Sequence, residues 1–262
     1  HFFNFVVMRE LGVPLNAHRL FVDDSVSFSQ LTETWWSYCG TLFIAAAVLY
    51  LPIVFVLKKL FKNQPPRNLK AWRAFHNLVF CIFSTVGAVE LFPTMVNTIT
   101  TSSSFYETVC GGYYQHRVES FWIVMFVISK LFELVETFYF ILEQKPIPFI
   151  HWYHHIMTFI FSTFALYLQD TSILYYSWMN FAVHAVMYFY YFLASVTNSR
   201  PSWAPLVTII QILQMFVGTA VIAETFVCEP QHNLINCSFG LFMYLSYVYL
   251  FVQFYIKRYL SP

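Results

Sequence analysis

Long apolar stretches, separated by short polar or basic intervals, run through nearly the whole chain. A helix of about 20 apolar residues is long enough to cross a bilayer. Stretches near that length lie at 34–57, 71–98, 119–142, 149–168, 173–193, 203–224 and 238–257. The pattern predicts an all-α integral membrane protein with seven transmembrane helices joined mostly by short loops. Pro93, inside the second stretch, predicts a kink or a shorter helix there. Residues 1–33 mix aromatic and polar positions and read as an N-terminal interfacial segment ahead of a membrane domain over 34–262. The chain opens on His1 rather than Met, so its start is read as trimmed, and no signal-peptide pattern is visible there. There is no internal repeat and no low-complexity tract.

Composition agrees with this class. Charged residues make up 10% of the chain, where a soluble domain carries about 25%. The few basic residues are unevenly placed. Lys58, Lys59, Lys62, Arg67, Lys70 and Arg73 lie between the first two spans, and alternation puts Lys145, Arg200, Lys257 and Arg258 on the same side. Arg9, Arg19 and Arg117 fall on the other side. The positive-inside rule then makes the carboxyl end cytosolic and the amino end lumenal or external. An odd number of spans fits that split. Nothing in the charge pattern points to nucleic acid. The basic loop from Lys58 to Arg73 serves as a topology signal or as a contact for an anionic substrate or lipid headgroup.

The cysteines divide by compartment. Cys39 and Cys81 lie in spans and read as packing residues. Cys110, Cys228 and Cys237 fall on the side where oxidation occurs. One disulfide among the three is expected, and Cys110–Cys237 is favoured. Asn236-Cys237-Ser238 matches a glycosylation sequon but abuts a span, so its use is not expected.

The candidate chemistry lies in polar residues within apolar stretches, where burial is costly and function is the default explanation. His151, His154 and His155, at i, i+3 and i+4, share one helical face. In the third span Lys130-x-x-Glu133 forms an i, i+3 pair, Thr137 continues that face, and Glu136 adds a second carboxylate. One lysine against two carboxylates leaves a charge that needs a partner, and the histidines are available. The fifth span carries Asn180 and His184, with Met187, Tyr188 and Tyr191 on the histidine's face. The sixth carries Thr208, Gln211 and Gln214, whose side chains are suited either to bridging helices or to binding amide and phosphate groups.

These four motifs, in this order, resemble the ELO-type fatty acid elongases, the condensing enzymes of very-long-chain fatty acid synthesis. Glu136 is a departure, since the family usually has Asp there. Trp152 and the context Asn180-x-x-x-His184-Ala185 are similar to members acting on saturated and monounsaturated chains. The resemblance implies that an acyl-CoA condenses with malonyl-CoA to give a 3-oxoacyl-CoA two carbons longer, with loss of carbon dioxide and CoA. It also implies an endoplasmic reticulum membrane and a lumenal amino terminus. Separate 3-oxoacyl-CoA reductase, dehydratase and enoyl-CoA reductase partners would complete the cycle. No cofactor or metal is expected, because the CoA thioesters are substrates, and a homodimer is left open.

No cysteine lies in the polar cluster, so an imidazole is the best available nucleophile. His154 is expected to attack the acyl thioester, giving an acyl-imidazole in a ping-pong sequence. His184 would orient malonyl-CoA or stabilise the enolate and developing oxyanion, and His151 and His155 would handle protons or fix the tautomer of His154. Glu133 or Glu136 would orient a histidine, and Lys130 would balance charge. Asn180, Tyr188, Tyr191, Gln211 and Gln214 are the candidate substrate contacts. Lys58 to Arg73, Lys145 and Arg200 are placed to meet CoA phosphates. The alternative chemistry is direct attack by the malonyl-derived enolate. Two other classes are weighed against this reading. A membrane di-iron hydroxylase or desaturase needs more histidines than this set, even with His76 as a fifth. A seven-helix transporter or receptor, with Lys130–Glu133 as a switch, has no need of the histidine box.

Overall fold

The computed structural model describes residues 27–111, 117–228 and 234–260. Every regular element among them is helical. α1 (Phe28–Phe61) starts earlier than hydropathy alone places it, because Ser27 and Gln30 form a capping box: Gln30 N–H donates to Ser27 Oγ and Ser27 N–H to Gln30 Oε1. The N-terminal interfacial segment up to residue 26, with Arg9 and Arg19, lies outside the described residues. α2 (Lys70–Thr101) runs through Pro93, and the short α3 (Phe105–Cys110) follows.

The third apolar stretch is two helices rather than one. α4 (Arg117–Glu133) stops, and α5 (Glu136–Leu142) restarts after Leu134 and Val135. Tight i→i−3 bonds bridge the interruption, from Val135 N–H to Phe132 O (3.1 Å) and from Phe138 N–H to Val135 O (3.0 Å). α6 (Phe149–Tyr167), α7 (Ile173–Thr197), α8 (Ala204–Cys228) and α9 (Leu234–Tyr255) complete the bundle, and a π-helical turn covers Ile256–Leu260.

Among the described residues five helical segments are long and apolar enough to cross a membrane: α1, α2, α7, α8, and α9 with its terminal turn. The protein is a multi-pass membrane protein. Large apolar side chains such as Val48, Phe55, Val79 and Val89 face outward, as a lipid-embedded surface requires. α2 and α7 pack closely because Gly87 presents no side chain where the Phe181 ring lies; a Cβ there would meet that ring at 2.8 Å.

Side-chain and backbone bonds fix the two ends of the bundle. At one end Arg67 N–H donates to Leu142 O (2.9 Å), and Gln144 Nε2 donates to Phe61 O (2.8 Å), tying the α1–α2 loop to the end of α5. At the other, Gln169 Nε2 donates to Ser29 Oγ (3.0 Å), and Asn236 Nδ2 donates to Asp170 Oδ2 (3.2 Å). Asn236 is thereby buried, which closes the sequon to modification.

The disulfide joins Cys110 to Cys228, with Cα atoms 5.5 Å apart, and not Cys110 to Cys237 as expected. The reason is packing. α3 lies against α8, whose last residue is Cys228, whereas α9 has already begun at Leu234 and buries Cys237 inside the bundle.

Candidate active site

The interruption at Leu134–Val135 sends the two carboxylates of the third stretch to different neighbours. Glu133 ends α4 and is buried with Lys130, whose Nζ lies 2.5 Å from Glu133 Oε1. Lys130 Nζ also donates to Asn180 Oδ1 at 2.6 Å. Asn180 Nδ2 faces His184 Nε2 at 3.2 Å, and His184 Nδ1 lies 3.4 Å from Glu133 Oε1. The four side chains close a ring across α4 and α7. An ammonium has only donors, so Asn180 must present its oxygen to Lys130 and its N–H to His184. His184 Nε2 therefore accepts, and the ring proton sits on Nδ1 facing Glu133.

Glu136, at the start of α5, gathers a second group. Tyr188 donates its hydroxyl to Glu136 Oε1 at 2.5 Å, and His76 Nε2 lies 3.2 Å from the same oxygen. His155 Nε2 approaches Oε2 at 3.6 Å. The unmatched carboxylate thus finds partners on α2, α6 and α7. Thr137, expected on the Lys130 face, instead meets His151 Nε2 (3.2 Å) and the Tyr50 hydroxyl (2.5 Å). The helix break is what turns it away.

The histidine triplet divides in the same manner. His151 and His155 lie against each other with ring centroids 4.3 Å apart, beside α5. His154 points toward α9, with the Tyr247 ring at 4.9 Å and the Phe251 ring at 6.1 Å. Tyr247 donates to the His154 carbonyl (3.0 Å), fixing the backbone there. Among the described residues the His154 ring takes part in no hydrogen bond, so its nitrogens are available to a substrate.

A cavity of about 890 Å³ reaches this region. Its walls include all four histidines, Asn180, Tyr188, Tyr191, Gln211, Gln214 and His76. Its mouth is basic, with Arg67, Lys70, Arg73, Lys145, Arg200 and Arg258 around it. Beyond His154 a much smaller space of about 20 Å³ continues among Phe161, Ile173, Tyr176, Met243, Tyr244 and Tyr247. His154, Asn180 and Gln214 line both spaces. The arrangement provides a polar, charged vestibule, an imidazole at its floor and an aromatic throat behind.

A model described as ELO: GNS1/SUR4 family matches residues 35–262. The chain belongs to the ELO family. It is 34% identical over 266 residues to "Fatty acid elongase 3" of Trypanosoma brucei brucei, covering 88% of each chain. "Long chain fatty acid elongase 1" of Caenorhabditis elegans is 34% identical over 225 residues, covering 82% of this chain and 77% of the relative. "Very long chain fatty acid elongase 3" of Homo sapiens is 32% identical over 222 residues, covering 82% of both.

Within this ELO family member the sequence-predicted residues converge, with some reassigned. Lys130 and Glu133 do not line the cavity but lie behind Asn180 and His184. The Asn180 amide and the Tyr188 hydroxyl are already engaged by other side chains. Gln211 donates to Met187 Sδ at 3.1 Å, leaving its carbonyl oxygen for the cavity. Lys145 is paired with Glu143 (2.8 Å), as is Arg73 (3.2 Å), and Lys58, Lys59 and Lys62 stand away from the cavity. Sequence reading undervalued His76 and did not single out Tyr139, whose hydroxyl lies 3.5 Å from His76 Nδ1. The signal was present, since Arg73, His76, Asn77 and Phe80 share one helical face with a polar start. One ligand atom each from Glu136, His151 and His155 lies within 4.8 Å of the others, so these three are the described residues able to hold a metal ion.

Proposed function

We propose that this protein is the condensing enzyme of fatty acid elongation, a 3-oxoacyl-CoA synthase of the endoplasmic reticulum membrane. The observation that carries the reading is the position of His154, an imidazole with no hydrogen-bond partner among the described residues where the basic-mouthed cavity meets the aromatic throat. The thioester carbonyl of an acyl-CoA is placed there when its phosphates sit at the mouth and its chain turns toward the throat. That space of about 20 Å³ is room for about one water and must widen to admit the chain. Arg67, Lys70, Arg200 and Arg258 have no carboxylate in ion-pair range among the described residues, and these four cations take the phosphates.

His154 attacks the thioester; the C–N bond forms, the C–S bond breaks and CoA leaves as thiolate. Malonyl-CoA then occupies the same cavity and loses carbon dioxide to give an enolate. The enolate carbon attacks the acyl-imidazole and releases His154 with a 3-oxoacyl-CoA two carbons longer. One turnover consumes one proton, which ends on the departed thiol. The pair His151 and His155, beside the scissile bond, delivers it. His184, held with its proton on Nδ1 by Asn180 and Glu133, steadies the malonyl group. The throat excludes water from a reactive acyl-imidazole.

Seven passes fit this reading. α4 with α5, and α6, alternate between the same two ends as the five long apolar helices. The positive-inside rule puts the basic mouth in the cytosol, where CoA esters and malonyl-CoA are found. The 3-oxo product passes to separate reductases and a dehydratase.

The test is intact-protein mass measurement after incubation with a long saturated acyl-CoA and no malonyl-CoA. A gain of one acyl group in the wild type, absent from His154→Ala, is the expected result. Malonyl-dependent product without any adduct would keep the condensation and replace the acyl-imidazole by direct enolate attack.

A further inference from the structure

We propose that His76 is a positioning residue of the reaction, the middle of a proton relay that runs in the cavity wall from Tyr139 to the histidine box. The inference rests on the condensing reading, because it concerns the one proton that each turnover consumes.

Three contacts line up. The Tyr139 hydroxyl lies 3.5 Å from His76 Nδ1, His76 Nε2 lies 3.2 Å from Glu136 Oε1, and Glu136 Oε2 lies 3.6 Å from His155 Nε2. Tyr139, His76, Glu136 and His155 all border the cavity. The His76 ring is held flat against Phe80, centroids 4.5 Å apart, so its two nitrogens keep their separate partners. The charged and titratable groups facing it are Glu136 and Tyr139 from α5 and Tyr188 from α7, with Arg73 one turn earlier on its own helix.

Hydrogen-bond direction defines the route. Tyr188 already donates to Glu136 Oε1, so the carboxylate accepts, His76 donates from Nε2, and its Nδ1 accepts from Tyr139. A proton moves inward when His76 gives its Nε2 proton to Glu136 and takes the Tyr139 proton on Nδ1. Glu136 passes the proton to His155, and Tyr139 recovers one from solvent at the mouth. One proton enters from solution and one leaves on CoA thiol. His76, left with its proton on Nδ1, is reset when product departs and water re-entering the cavity takes that proton and returns one to Nε2.

The placement gives the relay its purpose. When a CoA thioester fills the cavity, water in the cavity is displaced and cannot carry protons to its floor. A route made of wall side chains stays open. His155 Nδ1 is buried with no hydrogen-bond partner among the described residues, on the far side of the ring from Glu136, so that ring is free to change its protonated nitrogen.

The experiment compares wild type, His76→Gln, His76→Phe and Tyr139→Phe, purified into liposomes and supplied with acyl-CoA and malonyl-CoA. Gln keeps an N–H for Glu136 but cannot hand a proton from one end to the other, so it separates a relay from a structural pin. The relay predicts that His76→Gln lowers kcat about tenfold or more, the low side of what acid–base participation contributes. Both KM values and the thermal midpoint should stay at wild-type values, and added imidazole should restore part of the rate to His76→Phe. Tyr139→Phe should show a smaller kcat loss with the same unchanged KM, and it decides the matter should the His76 variants fail to fold. Wild-type kcat in His76→Gln or in Tyr139→Phe would overturn the relay while leaving condensation intact. A wild type that forms no 3-oxo product would overturn the condensing reading itself, and the relay with it.

Discussion

Asn180 holds His184 in one tautomer: its Nδ2 lies 3.2 Å from His184 Nε2 only because its carbonyl oxygen is claimed by Lys130 at 2.6 Å. Asn180→Asp keeps the lysine contact and removes the donor. With carboxylates facing both ring nitrogens, His184 is drawn into its doubly protonated form and can no longer accept at Nε2. The expected outcome is a kcat lower by about a hundredfold, the scale of one misplaced acid–base group, with a lowered thermal midpoint from the added buried carboxylate. Steady-state rates alongside a melting curve check it.

Lys130 and Glu133 are both buried, with side chains 2% and 3% exposed, so neither is stable without the other. Lys130→Met leaves an uncompensated carboxylate and should cost about 3–5 kcal/mol of stability. Adding Glu133→Gln should recover part of that loss without restoring activity. Thermal midpoints of the two single variants and the double variant in detergent measure the coupling.

Tyr244 borders the small space behind His154, where it packs so closely on α8 that a Cβ on Gly218 would come within 2.7 Å of its Cζ. Tyr244→Ala opens that throat and should move the product distribution to longer acyl chains. Gly218→Ala overpacks the α8–α9 contact and should cost about 1–3 kcal/mol. Chain-length profiles by mass spectrometry, with Tyr244→Phe as the control that keeps the ring, test the first expectation.

The Cys110–Cys228 bond spans 118 residues, a separation at which cross-linking restrains the unfolded chain by up to about 5 kcal/mol. Cys110→Ser and Cys228→Ser should each lower the thermal midpoint equally, and the double variant should add nothing further. Cys237→Ser should leave the midpoint sensitive to reductant, which Cys110→Ser should not.

Glu136, His151 and His155 have the spacing of a metal site, but two of their donor atoms are already engaged. Glu136 Oε1 accepts from Tyr188 and His76, and His151 Nε2 bonds to Thr137. Recruiting a metal ion would break these bonds. Extended treatment with a chelator is therefore expected to leave the initial rate unchanged, and loss of activity restored by one added metal would contradict this.

Much of the architecture was legible in the sequence because hydropathy and charge act locally. The apolar runs became helices, and the four polar motifs reached one cavity with a basic mouth. The misreadings came from contacts that no local pattern encodes. Apolar periodicity continues through Leu134 and Val135, so nothing in it announced that Glu136 and Thr137 would turn from the Lys130 face. His76 shares a polar face with Arg73 and Asn77, but only packing against α5 and α7 brings it to Glu136. Cys228 and Cys237 are equally lumenal by sequence, and the choice between them follows from where α3 lies.

The two-residue interruption after Glu133 also bears on how this segment tolerates change. A continuous helix turns about 100° per residue, so one residue added or removed there would swing everything downstream by that angle. Glu136 would leave Tyr188 and His76, and Thr137 would leave His151. Leu134 is largely enclosed and Val135 is 40% exposed, so what this joint demands most strictly is its length. Substitutions at Val135 should be accepted across many side chains, while a single-residue insertion or deletion should separate Glu136 and Thr137 from their partners at once.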